Sequence, residues 1–468
     1  MTTSRIKHGG KVFRDPIHRL IRIDRDDEFI LDLIDTPEFQ RLRRIRQLGV
    51  SWLTFHGAEH SRFVHSLGVF NFAQRIIEVL CRRYAGHDVD RYLKGHAKVV
   101  KAAALLHDIG HGPFSHMIER AFAASGQHER KTSELIRGDD SPIGRVLRNH
   151  EIDADSVASL IDHSSEHPLL MDIVSSQLDA DRMDYLLRDS YCTGVQYGLY
   201  DADWILNAFC VGVDESGTDG AAKPWRLCLD KRRGEKAAEQ FVLARAHMNE
   251  QVYFHRVTRG YEAMLLALFA EAGEIAAKND LPTDTPPLVV RFLRERGRLE
   301  GEDWIHFDES QLLVAMHSWA ESKDPILARL ARWSRAFLNR ERIFTPVTLS
   351  SKATLRSLQL LARLESSGLR ERVDWMADEA GSAVYKGILY SAARKSDDEE
   401  SRLESIFLAS GRPDDPAKPI EVSSELVESL DRQKQSVIRL FFDKASLDQA
   451  QKVLAELKLS VDSSGEGA

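Results

Sequence analysis

The segment ALLHDIGHGPFSHM, residues 104–117, places three histidines, an aspartate and two glycines directly after an apolar run. That run, VVKAAALL, has the composition of a helix buried in a core. His107 and Asp108 lie about 100° apart on such a helix, so both side chains can reach one cleft. Burying this pair is costly unless its charges are paired or a metal ion is bound. The segment therefore predicts a metal site at the end of a buried helix.

Two residues elsewhere in the chain complete a candidate ligand set. His65 lies in the amphipathic segment RFVHSLG, and Asp181 lies in the carboxylate-rich segment LDADRMDYLLRD. First-row divalent metals accept imidazole and carboxylate ligands, and four such ligands leave positions for water and a substrate oxygen. A centre of this kind activates water and polarises a phosphoryl group. We therefore predict one divalent ion (Mn, Fe, Ni, Zn or Mg) bound by His65, His107, Asp108 and Asp181.

The glycines behind the His-Asp pair are expected to shape the cleft. Gly110 and Gly112 are predicted to end the helix by adopting positive φ angles, as glycine does at helix C-termini. Such a turn would direct His111 and His116 into the same cleft as the metal.

Composition limits the class of protein. The chain has 468 residues, of which 43% are hydrophobic and 29% charged, with a net charge of −8. This length predicts one large domain with appendages, or two to three domains. The negative charge argues against non-specific nucleic-acid binding as the main activity. No run of about 18 apolar residues or signal-peptide pattern is found, so we expect a cytoplasmic protein without a membrane partner.

Helical periodicity dominates the first four fifths of the chain. Apolar residues recur at spacings of three and four over four segments, which predicts amphipathic helices: 62–84, 96–110, 239–278 and 312–321. Nearer the C-terminus, SAVYKGILYSA (382–392) and VIRLFFD (437–443) predict strands, and SLDQAQKVLAELK (446–458) predicts a helix. We therefore expect a mainly α protein with a small mixed α/β region at its C-terminus.

Several motifs in a fixed order resemble one known family. They are KVFRDPIHRLI, DTPEFQRLRRIRQLG, HSRFVHSLGV, LLHDIGHGPFSH, the pair His128–Glu129, and DADRMDYLLRD. The chain resembles the HD superfamily of metal-dependent phosphohydrolases, and within it the SAM-and-HD-domain deoxynucleotide triphosphohydrolases and their bacterial relatives, without the SAM domain. The likeness covers about residues 10–260, and IRLFFDKASLDQAQKVL resembles the C-terminal strand and helix of that family.

The resemblance implies a helical HD-domain core and a domain order. We expect an N-terminal segment with a regulatory nucleotide site (1–50), the HD catalytic core (51–280), a helical extension (281–380), the small α/β region (381–460) and a disordered tail (461–468).

The resemblance implies hydrolysis of dNTPs to a deoxynucleoside and inorganic triphosphate, by attack at the α-phosphorus. An additional Mg²⁺ is expected to accompany the nucleotide. One alternative keeps the metal but changes the substrate: an HD-type phosphodiesterase or nuclease that acts on cyclic nucleotides or single-stranded ends. Another alternative is a nucleotide-sensing scaffold without turnover, which would be indicated by loss of a metal ligand, and none is lost here.

The resemblance also assigns four residues to catalysis. Arg62 would contact the α-phosphate and His111 would flank the scissile bond. His128 would act as a general acid or a phosphate contact. Glu119 stands where the family has an aspartate that works with this histidine, and its longer side chain is compatible with the same relay.

A further group of residues is implied in substrate binding. Arg182 replaces a phosphate-binding lysine and keeps its charge, while Tyr185 and Asp189 would pack against the sugar and hold its 3′-hydroxyl. Tyr253 would exclude a 2′-hydroxyl by its bulk. The others are Gln47 and Leu48 around the deoxyribose, Arg245 at the triphosphate, Asn249 in place of a phosphate-contacting histidine, and His116 in the cleft.

The basic run FQRLRRIRQ has two interpretations. It can be a solvated helix face, or part of the family's regulatory pocket, which the residues Lys11, Asp35, Gln40 and Arg43 match. In such a pocket an aspartate pairs with guanine and basic side chains bind phosphates. The second interpretation implies GTP or dGTP as an activator and a homo-oligomer, either a dimer or a tetramer. Lys11 itself should be poorly ordered unless another element holds it, since it lies near the N-terminus beside two glycines.

Overall fold

The computed structural model describes residues 10–122, 127–215, 224–349, 354–371, 373–383, 405–432 and 434–456. The helices are α1 (Glu28–Ile34), α2 (Pro37–Arg41), α3 (Arg62–Arg83), α4 (Asp88–Leu106), α5 (His116–Ala121), α6 (Gln127–Arg137), α7 (Pro142–Asn149), α8 (Ala154–Ile161), α9 (Pro168–Val174), α10 (Ala180–Thr193), α11 (Ala202–Ala208), α12 (Lys231–Met248), α13 (Arg256–Ala277), α14 (Pro287–Arg294), α15 (Gly301–His306), α16 (Glu309–Glu321), α17 (Ala328–Leu338), α18 (Thr354–Ser366), α19 (Glu425–Arg432) and α20 (Leu447–Glu456). The strands are β1 (Lys11–Asp15), β2 (Arg19–Ile23), β3 (Phe209–Val213), β4 (Trp225–Asp230), β5 (Phe344–Leu349), β6 (Trp375–Ala383), β7 (Phe407–Ala409), β8 (Lys418–Pro419) and β9 (Lys434–Asp443). The prediction of a mainly α protein is confirmed.

The centre of the molecule is a helical core built around α3. This helix packs against both α4 and α10, and apolar side chains on several of its sides are buried, among them Phe70, Ile76 and Leu80. The apolar run that precedes the His-Asp pair is buried as well, including Leu105 and Leu106. Because α3, α4 and α10 meet in this core, residues near their ends are brought to one place. In the described part of the chain, no helix has the combined length and apolar character that a membrane crossing requires.

The long helix predicted over 239–278 is divided in two. A π-helical turn, Asn249–Tyr253, follows α12, and α13 starts only at Arg256. His255 caps the second helix, because its Nδ1 accepts the backbone N–H of Val257 at 3.3 Å. Wide turns of this type occur most often at functional sites, and here the turn faces the cavity described below.

The N-terminus forms an antiparallel hairpin, in which Lys11 pairs with Ile23 and Asp15 with Arg19. The Asp15 carboxylate closes the turn by accepting the backbone N–H groups of Ile17 and His18 at 2.8 and 2.9 Å. Ile23 is buried in the main core. Lys11 is therefore held in a strand. The sequence predicted poor order for Lys11 only if no other element held it, and here the partner strand holds it.

A second sheet joins distant parts of the chain. Its strand order is β3-β4-β7-β8, with β4 and β7 parallel and the other pairs antiparallel. This sheet was not expected, because β7 and β8 are short strands that follow a charged segment. Their pairing with residues near 228 is non-local and leaves no periodic signal in the sequence.

The C-terminal α/β region has its own small core. In the antiparallel sheet β5-β9-β6, one face carries Leu440 and Phe442, which pack with residues of α18, β6 and α20: Leu360, Leu364, Trp375, Val453 and Leu454. Phe441 points to the opposite face and belongs to the main core. The strand predicted at 437–443 lies in β9, and the helix predicted at 446–458 corresponds to α20.

The sheet starts earlier in the chain than expected. Strand β5 lies at 344–349, within the segment 281–380 that was expected to be helical. It pairs with β9 from Phe344 opposite Asp443 to Leu349 opposite Ile438, a long-range pairing that local patterns do not reveal. The strand predicted at 382–392 overlaps only the end of β6, and residues 384–404 and 457–468, including the expected tail, lie outside the described residues.

Candidate active site

Three segments bring the predicted metal ligands together. His65 lies in the first turns of α3, His107 is the residue at the C-terminal end of α4, and Asp181 lies in the first turn of α10. The Nε2 atoms of His65 and His107 are 3.3 Å apart. An Asp181 oxygen lies 2.9 Å from the first and 3.6 Å from the second. Asp108 oxygens lie 3.7 and 3.5 Å from these same nitrogens.

Both imidazole rings are oriented by hydrogen bonds on their far sides. Nδ1 of His65 lies 2.9 Å from an Asp184 oxygen, and Nδ1 of His107 lies 3.0 Å from the carbonyl oxygen of Ala104. Each acceptor requires the ring to carry its proton on Nδ1, which leaves an Nε2 lone pair facing the cluster. This is the arrangement of metal-ligating histidines in proteins. The four side chains therefore fit a divalent cation.

The charges of the cluster favour a cation as well. Burial disfavours a proton on His65, but its hydrogen bonds to the Asp181 and Asp184 carboxylates outweigh this effect and raise the pKa of His65 to about 10. Burial also opposes ionisation of Asp108, yet the Arg62 guanidinium and neighbouring imidazoles hold the pKa of that carboxyl well below its usual value. Surroundings that stabilise a proton between these groups will also stabilise a metal ion there.

The cluster opens into a cavity of about 480 Å³. Arg62 lines it, with one guanidinium nitrogen 2.6 Å from Asp108 and another donating to the Ser115 hydroxyl at 2.7 Å. Nε2 of His111 lies 3.2 Å from the other Asp108 oxygen. Burial, followed by the charge of Arg62, lowers the pKa of His111 well below its usual value. His111 is therefore a neutral imidazole beside the metal ligands.

A second imidazole lies directly on the first. The rings of His111 and His128 are stacked, with centroids 4.2 Å apart and planes 17° from parallel. The approach of α6 depends on Gly110, because a Cβ atom there would lie 2.1 Å from the His128 carbonyl oxygen.

The prediction that Gly110 and Gly112 adopt positive φ is wrong. The positive φ angles of this turn, each 54°, belong to Phe114 and Ser115.

The predicted sugar contacts line the same cavity as the metal ligands. The Tyr253 hydroxyl donates to an Asp189 oxygen at 2.8 Å, and the rings of Tyr185 and Tyr253 meet edge to face at 6.1 Å. Nε2 of His60 lies 2.8 Å from the second Asp189 oxygen. Burial lowers the pKa of His60, but hydrogen bonds to Asp189 and Cys192 outweigh it and raise that pKa to about 9. His60 was not predicted, because its partner lies on α10 and no local pattern links the two.

Comparisons with known proteins agree with this geometry. The HD domain family matches residues 62–189, which include all four predicted ligands, and the HD associated region matches residues 224–283. The uncharacterized protein YwfO of Bacillus subtilis is 35% identical over 93% of this chain and 92% of its own. This chain belongs to the HD superfamily of phosphohydrolases.

A solved structure and a further relative are also similar to this chain. The crystal structure of a phosphohydrolase from Bacteroides thetaiotaomicron covers 93% of this chain and 100% of its own, with a TM-score of 0.70 and 26% identity. The deoxynucleoside triphosphate triphosphohydrolase SAMHD1 of Mus musculus is 31% identical over 56% of this chain and 44% of its own. An HD domain implies a divalent metal, and among the described residues His65, His107 and Asp108 form a cluster that could bind one.

The remaining predicted catalytic and substrate-binding residues fall into three groups. Gln47, Leu48 and Asn249 line the cavity. Arg182 and Arg245 do not line it, because they bind Asp179 and Gln177 beside the start of α10. The side chains of His116 and Glu119 lie outside the described residues, so their predicted roles remain predictions.

The cavity has a rim that the sequence did not indicate. Nε2 of His163 lies 3.2 Å from the Ser175 hydroxyl, and both residues line the cavity. On another side, Arg259 lines the cavity and binds Asp378 of strand β6. The C-terminal sheet is therefore linked by an ion pair to the wall of the HD active site.

None of the predicted regulatory residues lines the cavity. The Gln40 amide donates to the Ile34 carbonyl and accepts from Arg43, both at 2.8 Å. The Arg43 guanidinium also stacks on the Phe63 ring at 3.5 Å. Asp35, at the end of α1, and Lys11, on β1, are exposed. Gln40 and Arg43 are thus held next to each other, while binding of a nucleotide at this position stays a prediction.

Proposed function

We propose that this HD phosphohydrolase is a metal-dependent triphosphohydrolase of deoxynucleoside triphosphates, which yields a deoxynucleoside and inorganic triphosphate. One observation carries the proposal. Three of the metal ligands, His107, Asp108 and Asp181, line a single cavity of about 480 Å³ together with Tyr185, Asp189 and Tyr253. This volume lies in the range of small-molecule sites and suits one nucleotide.

The residues around the cluster have the chemistry for attack at the α-phosphorus. His65, His107, Asp108 and Asp181 would hold a divalent ion, which when bound would supply an activated water and polarise a phosphoryl oxygen. The Arg62 guanidinium lies beside Asp108 and stabilises negative charge on the α-phosphoryl oxygens. His128 delivers a proton to the 5′-oxygen of the departing deoxynucleoside, and the neutral His111 ring stacked on it flanks the scissile bond.

The contacts of Asp189 and Tyr253 support the proposal of a deoxyribose substrate. Asp189 accepts one hydrogen bond on each oxygen, from His60 and from Tyr253. A carboxylate has about four lone-pair sites, so it can also accept the 3′-hydroxyl of a sugar. The Tyr253 ring then occupies the space where a 2′-hydroxyl would lie.

We further propose that GTP or dGTP activates the enzyme by binding at Lys11, Asp35, Gln40 and Arg43 between copies of the chain. The proposal is supported by the hydrogen bond between Gln40 and Arg43. It is also supported by the short segment of chain between α2 and Gln47, since Gln47 lines the cavity. A ligand that favours the assembled state must raise substrate affinity and promote oligomerisation together.

Chromatography of the products tests the activity directly. Each dNTP and each rNTP is incubated with the protein and Mn²⁺ or Mg²⁺, with and without GTP. We expect a deoxynucleoside and inorganic triphosphate from dNTPs and no products from rNTPs. Release of monophosphate and pyrophosphate, or shortening of an added single-stranded oligonucleotide, would contradict the proposal and favour a phosphodiesterase or nuclease.

A further inference from the structure

A continuous set of hydrogen bonds joins the N-terminal hairpin to a metal ligand. Nε2 of His18, in the hairpin turn, lies 2.7 Å from Oδ1 of Asp184. Oδ2 of Asp184 lies 2.9 Å from Nδ1 of His65. His18 and Asp184 are both almost completely buried, with side-chain exposures of 3% and 0%.

Both carboxylate oxygens of Asp184 are hydrogen-bonded. Arg188 donates to both of its oxygens at 2.7 and 2.9 Å and also donates to Asp15 at 2.8 Å. Asp15 is the residue that closes the hairpin turn. The carboxylate of Asp184 therefore has four hydrogen bonds from three residues, and the hairpin contributes to its position twice, through His18 and through Arg188.

The hydrogen-bond directions along this path are determined. The Asn71 amide nitrogen lies 3.0 Å from Nδ1 of His18 and donates to it, which leaves the His18 proton on Nε2, directed at Asp184. Because the Asp184 carboxylate only accepts hydrogen bonds, the proton of His65 lies on Nδ1 and is donated to Asp184. The Nε2 lone pair of His65 then faces the metal site. Such partners behind a ligand orient it and increase its basicity.

The packing around Asp184 is specific. Gly68 lies inside α3, where glycine is unfavourable relative to alanine. A Cβ atom at Gly68 would lie 1.9 Å from Oδ1 of Asp184 and 2.6 Å from an Arg188 guanidinium nitrogen. The glycine is required because the Asp184 carboxylate approaches the helix backbone this closely.

We infer that His18, in the N-terminal hairpin, is a positioning residue for the metal centre, which acts through Asp184 to hold His65 in its metal-binding orientation. The inference rests on the metal site of the proposed function. It makes the hairpin part of the active site, although no hairpin residue lines the cavity.

Binding of Mn²⁺ alone to the full chain tests this, with the free ion followed by electron paramagnetic resonance. His18→Ala should raise the Kd for Mn²⁺ by about 10–100-fold, the range found when partners behind a metal ligand are removed. His18→Gln keeps a donor near the position of Nε2 and should restore binding close to that of the unchanged protein. The matched control is His150→Ala, which removes a similar 2.9 Å contact between an imidazole and Asp32, and neither of these two residues lines the cavity.

A second pair of variants tests the packing. Gly68→Ala should weaken Mn²⁺ binding, whereas Gly95→Ala should not, because a Cβ atom at Gly95 meets no described atom within 4 Å. Thermal unfolding in EDTA separates positioning from stability. A His18→Ala protein that binds Mn²⁺ as tightly as the unchanged chain, and differs only in stability, would overturn the inference and leave the proposed function standing. If the unchanged protein binds no Mn²⁺, both fail.

Discussion

At the scale of single residues, the metal ligands are constrained in two ways. Each imidazole is fixed on its Nδ1 side by an acceptor, and each Nε2 atom lies within 4 Å of a carboxylate of the cluster. A ligand that is oriented before the ion arrives loses little conformational freedom when the ion binds. Removing one donor therefore affects both the number of ligands and the orientation of those that remain.

The first prediction concerns the ligand set. His107→Ala and Asp181→Ala should each lose metal and activity together, with activity falling by more than about 100-fold, the upper end of the loss caused by changes behind the ligands. Elemental analysis of the purified variants, alongside hydrolysis rates, checks this. His306→Ala, an exposed histidine at the end of α15, should retain both. Full metal occupancy in Asp181→Ala would show that the fourth ligand is a different residue.

The second prediction concerns sugar selectivity. Tyr253→Ala should reduce the preference for dGTP over GTP by about 1–3 kcal/mol, the range in which shape alone discriminates small groups. Tyr253→Phe keeps the ring but loses the hydrogen bond to Asp189, so it should retain most of the preference. The ratio of kcat/KM values for the two nucleotides is the measurement. Equal ratios in the alanine variant and the unchanged protein would mean that ring bulk does not exclude the 2′-hydroxyl.

At the scale of elements, a few breaks in regular structure shape the site. The π-helical turn between α12 and α13 carries Asn249 and Tyr253, which both line the cavity. A continuous α-helix would rotate these side chains to other faces. The C-terminal sheet contributes to the cavity wall from outside the HD domain, through the ion pair between Asp378 and the wall residue Arg259. The sheet residues that pack against α18 and α20 form a separate core.

The third prediction follows from that separate core. Trp375 is 1% exposed, so Trp375→Ala should reduce the free energy of unfolding by about 3–5 kcal/mol. Metal content should stay unchanged, since the residue packs in the separate core of the C-terminal α/β region. Urea unfolding monitored by circular dichroism, with elemental analysis, checks both. The control Trp204→Ala alters a tryptophan that is 47% exposed, and an equal loss of stability there would contradict the argument.

At the scale of the whole molecule, the hairpin and the first two helices link the predicted regulatory residues with the active site. Lys11 lies on the strand that leads to the Asp15 turn, and this turn is hydrogen-bonded to Arg188 beside Asp184. Gln40 and Arg43 lie just before Gln47 at the cavity. A nucleotide bound at these residues would therefore act on two elements that contact the active site.

The fourth prediction tests this regulation. GTP or dGTP should shift the protein to a larger oligomer and raise the turnover of the other dNTPs. Asp35→Ala should abolish this activation, because it removes the proposed guanine contact, and metal content should not change. Hydrolysis of dATP against GTP concentration is measured together with light scattering. A flat rate at unchanged mass would show that these residues do not form a regulatory nucleotide site.

The sequence by itself determined the helical class, the metal ligand candidates and the family. These features depend on residues that are neighbours in the chain and on apolar residues that recur every three or four positions. The apolar run before His107 and Asp108 is an example, and such local patterns can be read directly from the sequence. The tertiary structure alone decided the contacts between distant segments. His60 beside Asp189, His18 behind Asp184, the pairing of β5 with β9, and the need for glycine at Gly110 all depend on which segments meet in space. Hydrogen bonds and close packing between residues far apart in the chain leave no period in the sequence, and for this reason only the folded molecule reveals them.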